Sequence, residues 1–263
     1  MIDEGKRGFV SLSPSESSPG LQVALGVALG FDLTQTPMLS RDDLQSIALF
    51  ESLNDKQLDQ ILDRHRDLSH QADQVIVMEQ DWGESLFLLC DGLAKVRTYT
   101  ADGVEVVMSL LGAGDLFGEM AALDGGTRSA DVVALTQLRL VKLRVPPFAD
   151  LLARDAVFAL SLAKLEASRL RDLNRRFALQ TADATTRLLD SLSYLARKSS
   201  AQNDPQASIP PLAQLEIALI AGLARETASR TLRKLRTRGT VIENNGRLHL
   251  ADLKPLEKRG LMY

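Results

Sequence analysis

The pattern of apolar and polar positions along the chain changes character several times. Between Asp42 and Arg64 the apolar residues are spaced as in one or two short helices. Further on, short apolar runs alternate with turn pairs such as Asp91-Gly92 and Asp102-Gly103. These runs predict strands at Val75–Met78, Ser85–Cys90, Leu93–Tyr99, Val104–Leu111, Ala130–Leu135 and Leu138–Leu143. Short strands at such close spacing predict a small antiparallel, jelly-roll-like β-roll.

A long helical stretch is predicted from about Phe148 to Arg197, after Pro146-Pro147 closes the roll. Within it, mostly apolar and small residues recur at alternating steps of four and three. They are Ala163, Ala167, Leu170, Asn174, Phe177, Thr181, Ala184 and Leu188. Because that spacing is typical of a coiled-coil seam, we expect the same helix of a second copy as its partner, in a homodimer. The alternative is that the stripe packs on the chain's own roll.

The carboxy-terminal pattern predicts a winged helix-turn-helix. Helices are expected at Leu212–Ala221 and Arg225–Arg238, joined by a tight turn at Gly222. Two short apolar runs then flank Asn244-Asn245-Gly246, which is a strong hairpin signal. A pair of helices followed by a small hairpin is the pattern of this DNA-binding motif.

The predicted fold class is therefore α+β, in four regions. Residues 1–40 form an N-terminal extension, partly flexible; 41–147 the β-roll; 148–198 a dimerisation helix and linker helix; and 199–263 the winged helix-turn-helix. The apolar run Leu21–Leu33 is too short to cross a bilayer, and the acidic start makes a poor signal peptide. We therefore expect a soluble, cytoplasmic protein with no membrane partner.

Composition and charge narrow the classes of function. The single cysteine of this sequence, Cys90, excludes an internal disulfide framework, a tetracysteine zinc site and an iron–sulfur cluster held by four thiolates. The formal net charge is −3, but residues 206–263 hold ten Lys and Arg against five Asp and Glu, which leaves −8 for the rest. A basic end on an acidic body predicts a polyanionic partner for that end, although a solvated charged helix is the alternative.

The segment from Gly114 to Ala130 carries the clearest candidate chemistry. Backbone N–H groups of a helical turn, the Arg128 guanidinium and the Ser129 hydroxyl could converge on one phosphate, while Glu119 accepts hydrogen bonds from sugar hydroxyls. The candidate ligand-binding residues here are Gly118, Glu119, Met120, Ala121, Arg128 and Ser129. A buried Glu–Arg ion pair is the alternative reading of the same spacing.

This segment resembles the phosphate-binding cassette of cyclic-nucleotide-binding domains, in which Gly-Glu, a short helical turn and Arg-Ser/Thr-Ala follow in order. With the helical stretch and the winged helix-turn-helix, residues 45–250 resemble the Crp/Fnr superfamily of bacterial transcription regulators. The resemblance implies that Glu119 takes the ribose 2′-hydroxyl, that Arg128 and Ser129 take the cyclic phosphate, and that Gly118 lets the backbone approach closely.

The resemblance leaves the effector open. Where cAMP-responsive members place adjacent hydroxyl residues against the purine, this chain has Leu173 and Asn174. Asn174 is a candidate ligand contact across the dimer, or it only fixes helix register. Cyclic AMP is the first expectation; cGMP, cyclic di-GMP and an empty site are alternatives. No metal, haem or iron–sulfur cofactor is expected, because the His and Cys residues show no ligand spacing.

The second carboxy-terminal helix carries the candidate DNA contacts. Arg225, Glu226 and Arg230 match the base-reading positions of the superfamily, with Ser229 beside them on the helix. Further basic side chains suit phosphates: Arg233, Lys234, Arg236, Arg238 and Arg247. The first helix departs from the family pattern at Ala213-Gln214-Leu215-Glu216, which predicts weaker phosphate contacts. A helix-turn-helix that makes only protein contacts is the alternative.

Together these features predict a homodimeric, ligand-responsive transcription regulator that binds palindromic double-stranded DNA and contacts RNA polymerase or another transcription factor. A ligand-independent regulator of the same family with a vestigial pocket is the main alternative. A nucleotide-binding module that regulates another protein is the other. No Ser-His-Asp set or carboxylate pair stands out, so we expect no enzyme.

Overall fold

The computed structural model describes residues 39–262; the expectations for the N-terminal extension, residues 1–38, lie outside this range. Two short helices come first, α1 (Arg41–Gln45) and α2 (Asp55–Leu62). Each begins with a capping box, in which the side chain of Ser40 or Asn54 accepts from the third backbone N–H of the helix. Within the described residues, no helix is both long and apolar enough to span a bilayer.

The roll consists of two four-stranded antiparallel sheets, with strand orders β1-β8-β3-β6 and β2-β7-β4-β5. Its strands are β1 Arg66–His70, β2 Val75–Val77, β3 Ser85–Asp91, β4 Ala94–Tyr99, β5 Glu105–Leu111, β6 Leu116–Phe117, β7 Asp131–Ala134 and β8 Leu138–Arg144. The six predicted strands are confirmed to within one residue at each end. The patterns missed β1, whose one apolar side chain is Leu68 on an edge strand, and β6, which has two residues.

The predicted helical stretch consists of several helices in the structure. It contains α4 (Val145–Arg154), α5 (Ala156–Ala178), a 3₁₀ turn (Leu179–Thr181) and α6 (Ala184–Lys198), while α3 is the short helix Glu119–Asp124 of the cassette. The breaks fall at Asp155 and Asp183. Each carboxylate accepts hydrogen bonds from the free backbone N–H groups of the following helix, so each aspartate is the N-cap at which a new helix begins. Apolar periodicity does not report such a cap, because the repeat continues across it.

The coiled-coil stripe is divided by the second break. Ala163, Ala167, Leu170, Asn174 and Phe177 are all exposed on α5, so the alternative that they pack on the chain's own roll is wrong. Beyond the break the stripe turns inward: Ala184 is half-buried, and Leu188 is fully buried in the carboxy-terminal core. Thr181, in the 3₁₀ turn, is also exposed, so the exposed part of the stripe ends there.

The carboxy-terminal part has the predicted helix-turn-helix and hairpin: α7 (Gln214–Ile220), α8 (Arg225–Thr237), β9 (Val241–Asn244) and β10 (Arg247–Leu250), followed by α9 (Lys254–Glu257). Residues 209–250 are called the helix-turn-helix module below. The apolar face of α6 packs into the same core as this module and as the roll residues Leu93, Leu110 and Leu135. The module thus rests against β4 and β5 of the roll.

The ligand cavity and the DNA-reading surface

The cassette begins where β6 ends at Phe117. Gly118 has φ +85 and precedes α3. A Cβ on Gly118 would lie 2.5 Å from Nη1 of Arg128 and 3.0 Å from the Ser85 carbonyl oxygen. Glycine is therefore required here twice, for the left-handed backbone and for the close approach of the arginine.

Arg128 is a buried cation held by carbonyl groups. It is 7% exposed, donates to the carbonyl oxygens of Gly118 (3.0 Å) and Ser85 (2.7 Å), and lies 5.7 Å from the centre of the Phe87 ring. Burial lowers the pKa of Arg128, against the opposing field of Glu119. Because Arg128 forms no ion pair within residues 39–262, the predicted alternative of a Glu119–Arg128 pair is wrong, and its charge is open to an anionic ligand.

Glu119, the first residue of α3, pairs with a different arginine. It is 5% exposed, and Oε1 accepts from Nη1 of Arg169 on α5 at 2.9 Å, while Oε2 is buried with no hydrogen-bond partner. Arg169 also donates to Glu166, whose pKa burial raises, and to the Leu116 carbonyl. A buried carboxylate oxygen without a hydrogen-bond donor is costly. A hydroxyl of a bound ligand could supply the donor that Oε2 lacks. The sequence reasoning missed Arg169, which is fifty residues from Glu119.

These residues surround a cavity of about 440 Å³ between the cassette, β5 and α5, closed by Tyr194 and Lys198 of α6. That is within the usual size range of small-ligand sites. The cavity brings together Gly118, Glu119, Met120, Ala121, Arg128 and Ser129. Ser129 is exposed, and its hydroxyl contacts the Met120 sulfur at 3.5 Å. Leu173 lines the cavity of this chain, whereas Asn174 lies outside it on the seam, so the ligand role of Asn174 stays a prediction.

The DNA-reading candidates lie together on the solvent side of α8. The helix buries Ala228, Leu232 and Leu235, and this amphipathic pattern directs its other face outward. Its exposed charged candidates are Arg225, Glu226, Arg230, Arg233 and Lys234; Ser229 is half-buried, and Arg247 is exposed on the wing. Within the described chain none of these charged groups forms an ion pair, whereas Arg236 pairs with Glu243 at 2.5 Å. The face is thus available to bases and phosphates.

A β-roll with a buried arginine and glutamate at one cavity, connected by helices to a winged helix-turn-helix, is the architecture expected of a nucleotide-binding protein that also binds DNA. The family description "Cyclic nucleotide-binding domain" matches residues 68–155, and "Crp-like helix-turn-helix domain" matches residues 186–259. The chain is 31% identical over 214 residues to the cyclic AMP receptor protein of Thermus thermophilus, covering 80% of this chain and 95% of that protein. The chain belongs to the Crp/Fnr family of cyclic-nucleotide-binding transcription regulators.

Two solved structures show the same fold. FixK2 from Bradyrhizobium japonicum superposes with a TM-score of 0.65 at 20% identity, covering 74% of this chain and 96% of its own. The c-di-GMP responsive global regulator CLP of Xanthomonas campestris gives a TM-score of 0.60 at 23% identity, covering 76% and 100%. At these identities the likeness establishes the architecture alone.

Proposed function

We propose that this protein is a cytoplasmic homodimer whose binding to palindromic DNA is controlled by a cyclic nucleotide in the roll cavity. The observation that carries the proposal is a pair of groups facing one cavity: a guanidinium with no carboxylate partner among the described residues, and a carboxylate oxygen with no donor. Arg128 is a buried cation with carbonyl partners, and Glu119 has a buried oxygen without a donor. A cyclic phosphate fused to a ribose would meet both, by a charge-assisted contact and by a hydroxyl donor.

Cyclic AMP is the first candidate effector, because the similar protein of Thermus thermophilus is a cyclic AMP receptor. Cyclic GMP and cyclic di-GMP share the phosphate and ribose chemistry of the cassette and differ in what the cavity must hold beyond it. Leu173 lines the cavity from α5, and we propose that Asn174 of the second chain contacts the base.

The test is calorimetric titration of the protein with cAMP, cGMP and cyclic di-GMP, with Arg128→Ala as the binding variant. Arg139→Ala is the matched control, because Arg139 is a half-exposed arginine of the same roll that pairs with Asp91 at 3.7 Å. We expect binding of one nucleotide, at least a hundredfold loss in Arg128→Ala (about 2.7 kcal/mol) and no loss in the control. Heat from none of the three, with DNA binding intact, would establish the vestigial-pocket alternative.

The dimer is supported by the exposed seam of α5. Leu170 is 58% and Phe177 is 72% exposed, which is a large apolar area for one helix to leave in water. We expect sedimentation equilibrium to give a dimer for the wild type and a monomer for Leu170→Glu, since a carboxylate on each side of a two-fold seam repels its own copy. A monomeric wild type would refute this part of the proposal.

On DNA, two α8 helices would contact half-sites about one helical turn, or 34–36 Å, apart. Arg225 and Arg230 can donate to guanine O6 and N7, and Glu226 can accept from a cytosine amino group, so G·C pairs are expected in each half-site. Contact with RNA polymerase or another transcription factor would turn site binding into regulation.

A further inference from the structure

A single lysine joins the roll to the helix-turn-helix module. The side chain of Lys95 on β4 is 4% exposed, and its Nζ lies 2.6 Å from Oε1 of Glu105 on β5 and 2.6 Å from Oε2 of Glu216 on α7. Lysine is almost never fully buried unless it is paired. One ammonium is therefore shared between a carboxylate of the roll and a carboxylate of the module.

We propose that the Lys95–Glu216 ion pair is a positioning contact that fixes the orientation of the helix-turn-helix module on the roll, and thereby the separation of the two reading helices in the dimer. This rests on the proposed function, because it concerns a dimer on a two-part DNA site. It gives Glu216 a role that a helix-turn-helix does not by itself require.

The ion pair is a directional contact, which the apolar part of the interface cannot supply. The module shares an apolar core with Leu110 and Leu135 of the roll, and apolar contact is non-directional. Lys95, in contrast, is held from two sides at fixed distances. If the module turned away, the ammonium would keep Glu105 but lose its hydrogen bond to Glu216, and breaking a buried pair in this way is unfavourable.

Two arginines extend the attachment to the other end of α7. Arg176 on α5 donates to the carbonyl oxygens of Met108 (2.9 Å) and Ile220 (3.3 Å), so it joins β5 to the last residue of α7. Arg187 on α6 donates to the carbonyls of Ala221 (3.1 Å) and Gly222 in the turn that follows. Helix α7 is thus attached at its first turn by Lys95 and at its end by these arginines, which fixes its rotation as well as its position.

The attached position leaves the DNA-reading surface open. The charged candidates Arg225, Glu226, Arg230, Arg233 and Lys234 are all exposed while Glu216 is engaged with the roll. The ion pair therefore does not cover the reading helix, and we infer that it holds the module in a DNA-competent position. Two modules must meet half-sites at a fixed spacing, so holding each one in advance removes an ordering cost from binding.

Two of these cations, Arg176 and Lys95, connect the module to the ligand cavity, the first directly and the second through further ion pairs. Arg176 lines the cavity as well as contacting α7. From Lys95, the pairs Glu105–Arg97 and Arg97–Asp131, each at 3.2 Å, continue to β7, three residues after the cassette arginine. A shift of the cassette or of α5 on ligand binding would therefore be transmitted to the contacts that orient the module.

The experiment measures affinity for palindromic DNA of the preferred half-site spacing, and for the same site with one or two base pairs inserted. Wild type should discriminate strongly against insertion. Glu216→Gln should bind the preferred site about tenfold more weakly (about 1.4 kcal/mol) yet lose less on insertion, because a freer module tolerates a changed spacing. Glu243→Gln is the control: it removes a carboxylate paired within the module, at 2.5 Å from Arg236, and should leave the spacing preference unchanged.

A loss in Glu216→Gln that is equal at every spacing would overturn the proposal, since it would indicate a DNA contact or a folding defect. Unchanged affinity and spacing preference would overturn it too. Amide hydrogen exchange without DNA separates this proposal from the function it rests on. Exchange in α7 should be faster in Glu216→Gln than in Glu243→Gln, and equal rates would refute the contact even if no palindrome were bound by any form of the protein.

A double-mutant cycle with Lys95→Gln completes the test. If the two residues act through each other, Lys95→Gln/Glu216→Gln should lose spacing discrimination no further than Glu216→Gln alone. Additive losses would show that they act independently and would contradict the proposal.

Discussion

The cavity of the roll and the proposed DNA-reading surface both contain arginine and glutamate, but they hold these residues in opposite ways. In the cavity, Arg128 and Glu119 are 7% and 5% exposed, and each is braced by other groups of the protein. On the reading helix, Arg225, Glu226 and Arg230 are exposed and form no ion pair within residues 39–262. Burying a charge is costly unless the protein compensates it, whereas a charge exposed to water needs no partner within the protein.

This difference predicts different consequences of mutation. A change in the cavity should alter folding stability as well as binding, because Arg128 and Glu119 also form hydrogen bonds within the protein. A change on the reading surface should alter binding alone. The following expectations, from the largest effect to the smallest, can confirm or break this contrast.

Gly118→Ala should have the largest effect. Its Cβ would approach Arg128 Nη1 to 2.5 Å at φ +85, so the arginine must move. We expect at least a hundredfold loss of nucleotide affinity by calorimetry, about 2.7 kcal/mol, with a lower melting temperature. Gly103→Ala is the control, since Gly103 has φ +76 but nothing within 4 Å of an added Cβ; it should cost only backbone strain, about 1 kcal/mol. Equal effects of the two changes would contradict the role given to the cassette.

Arg169→Met should destabilise the roll without any ligand present, because Glu119 loses the donor to Oε1 while Oε2 already has none. Arg169 retains partial exposure, so we expect a loss of about 2 kcal/mol in urea unfolding rather than the full cost of breaking a buried pair. The double variant Glu119→Gln/Arg169→Met should recover part of this loss. If Arg169→Met were as stable as wild type, the two regions would not differ as described.

Arg225→Ala should weaken binding to the preferred DNA site by about 1–3 kcal/mol and relax the preference at one base pair. Its free energy of unfolding should not change, since the side chain is exposed and forms no ion pair within the described residues. Lys234→Ala is the companion variant: it should weaken binding evenly across sequences and reduce the salt dependence by one phosphate contact. Binding measured by fluorescence anisotropy at several salt concentrations distinguishes the two, and an unchanged base preference in Arg225→Ala would show that α8 is not the reading helix.

Asp183→Ala should have the smallest effect. Asp183 lies in the chain between the cassette and the helix-turn-helix module. The Asp183 carboxylate caps α6 through the N–H groups of Thr185 and Thr186, so its loss should cost about 1 kcal/mol at neutral pH. Hydrogen bonds from Thr186 lower the pKa of Asp183 below 3.8. The stabilisation is therefore present above pH 3.8 and disappears as the pH falls through the lower folded-state value. Unfolding of wild type and Asp183→Ala should converge in acid, while Asp183→Asn should keep most of the cap at neutral pH.

Structural features that depend only on neighbouring residues in the chain could be predicted from the sequence. The alternating strands of the roll, the turn at Asp102-Gly103 and the amphipathic pattern of α8 are each set within a few positions, so their place in the chain was predictable. The break at Asp183 was not, because apolar spacing runs across an N-cap without interruption. Arg169 was missed for a related reason: nothing near it in the chain indicates Glu119, which meets it only when α5 lies across the cassette.

The sequence by itself therefore determined the parts of this protein, namely the cassette segment, helix α8 and the fold family, because local patterns decide each of them. Tertiary structure alone decided which charges are paired. In the folded protein Glu119 pairs with Arg169 and not with Arg128. Glu216 pairs with Lys95, from which it is separated by 121 positions in the sequence. Burial makes an unpaired charge expensive, so the partners that the fold brings together set the electrostatics of the cavity and of the contact between the roll and the module.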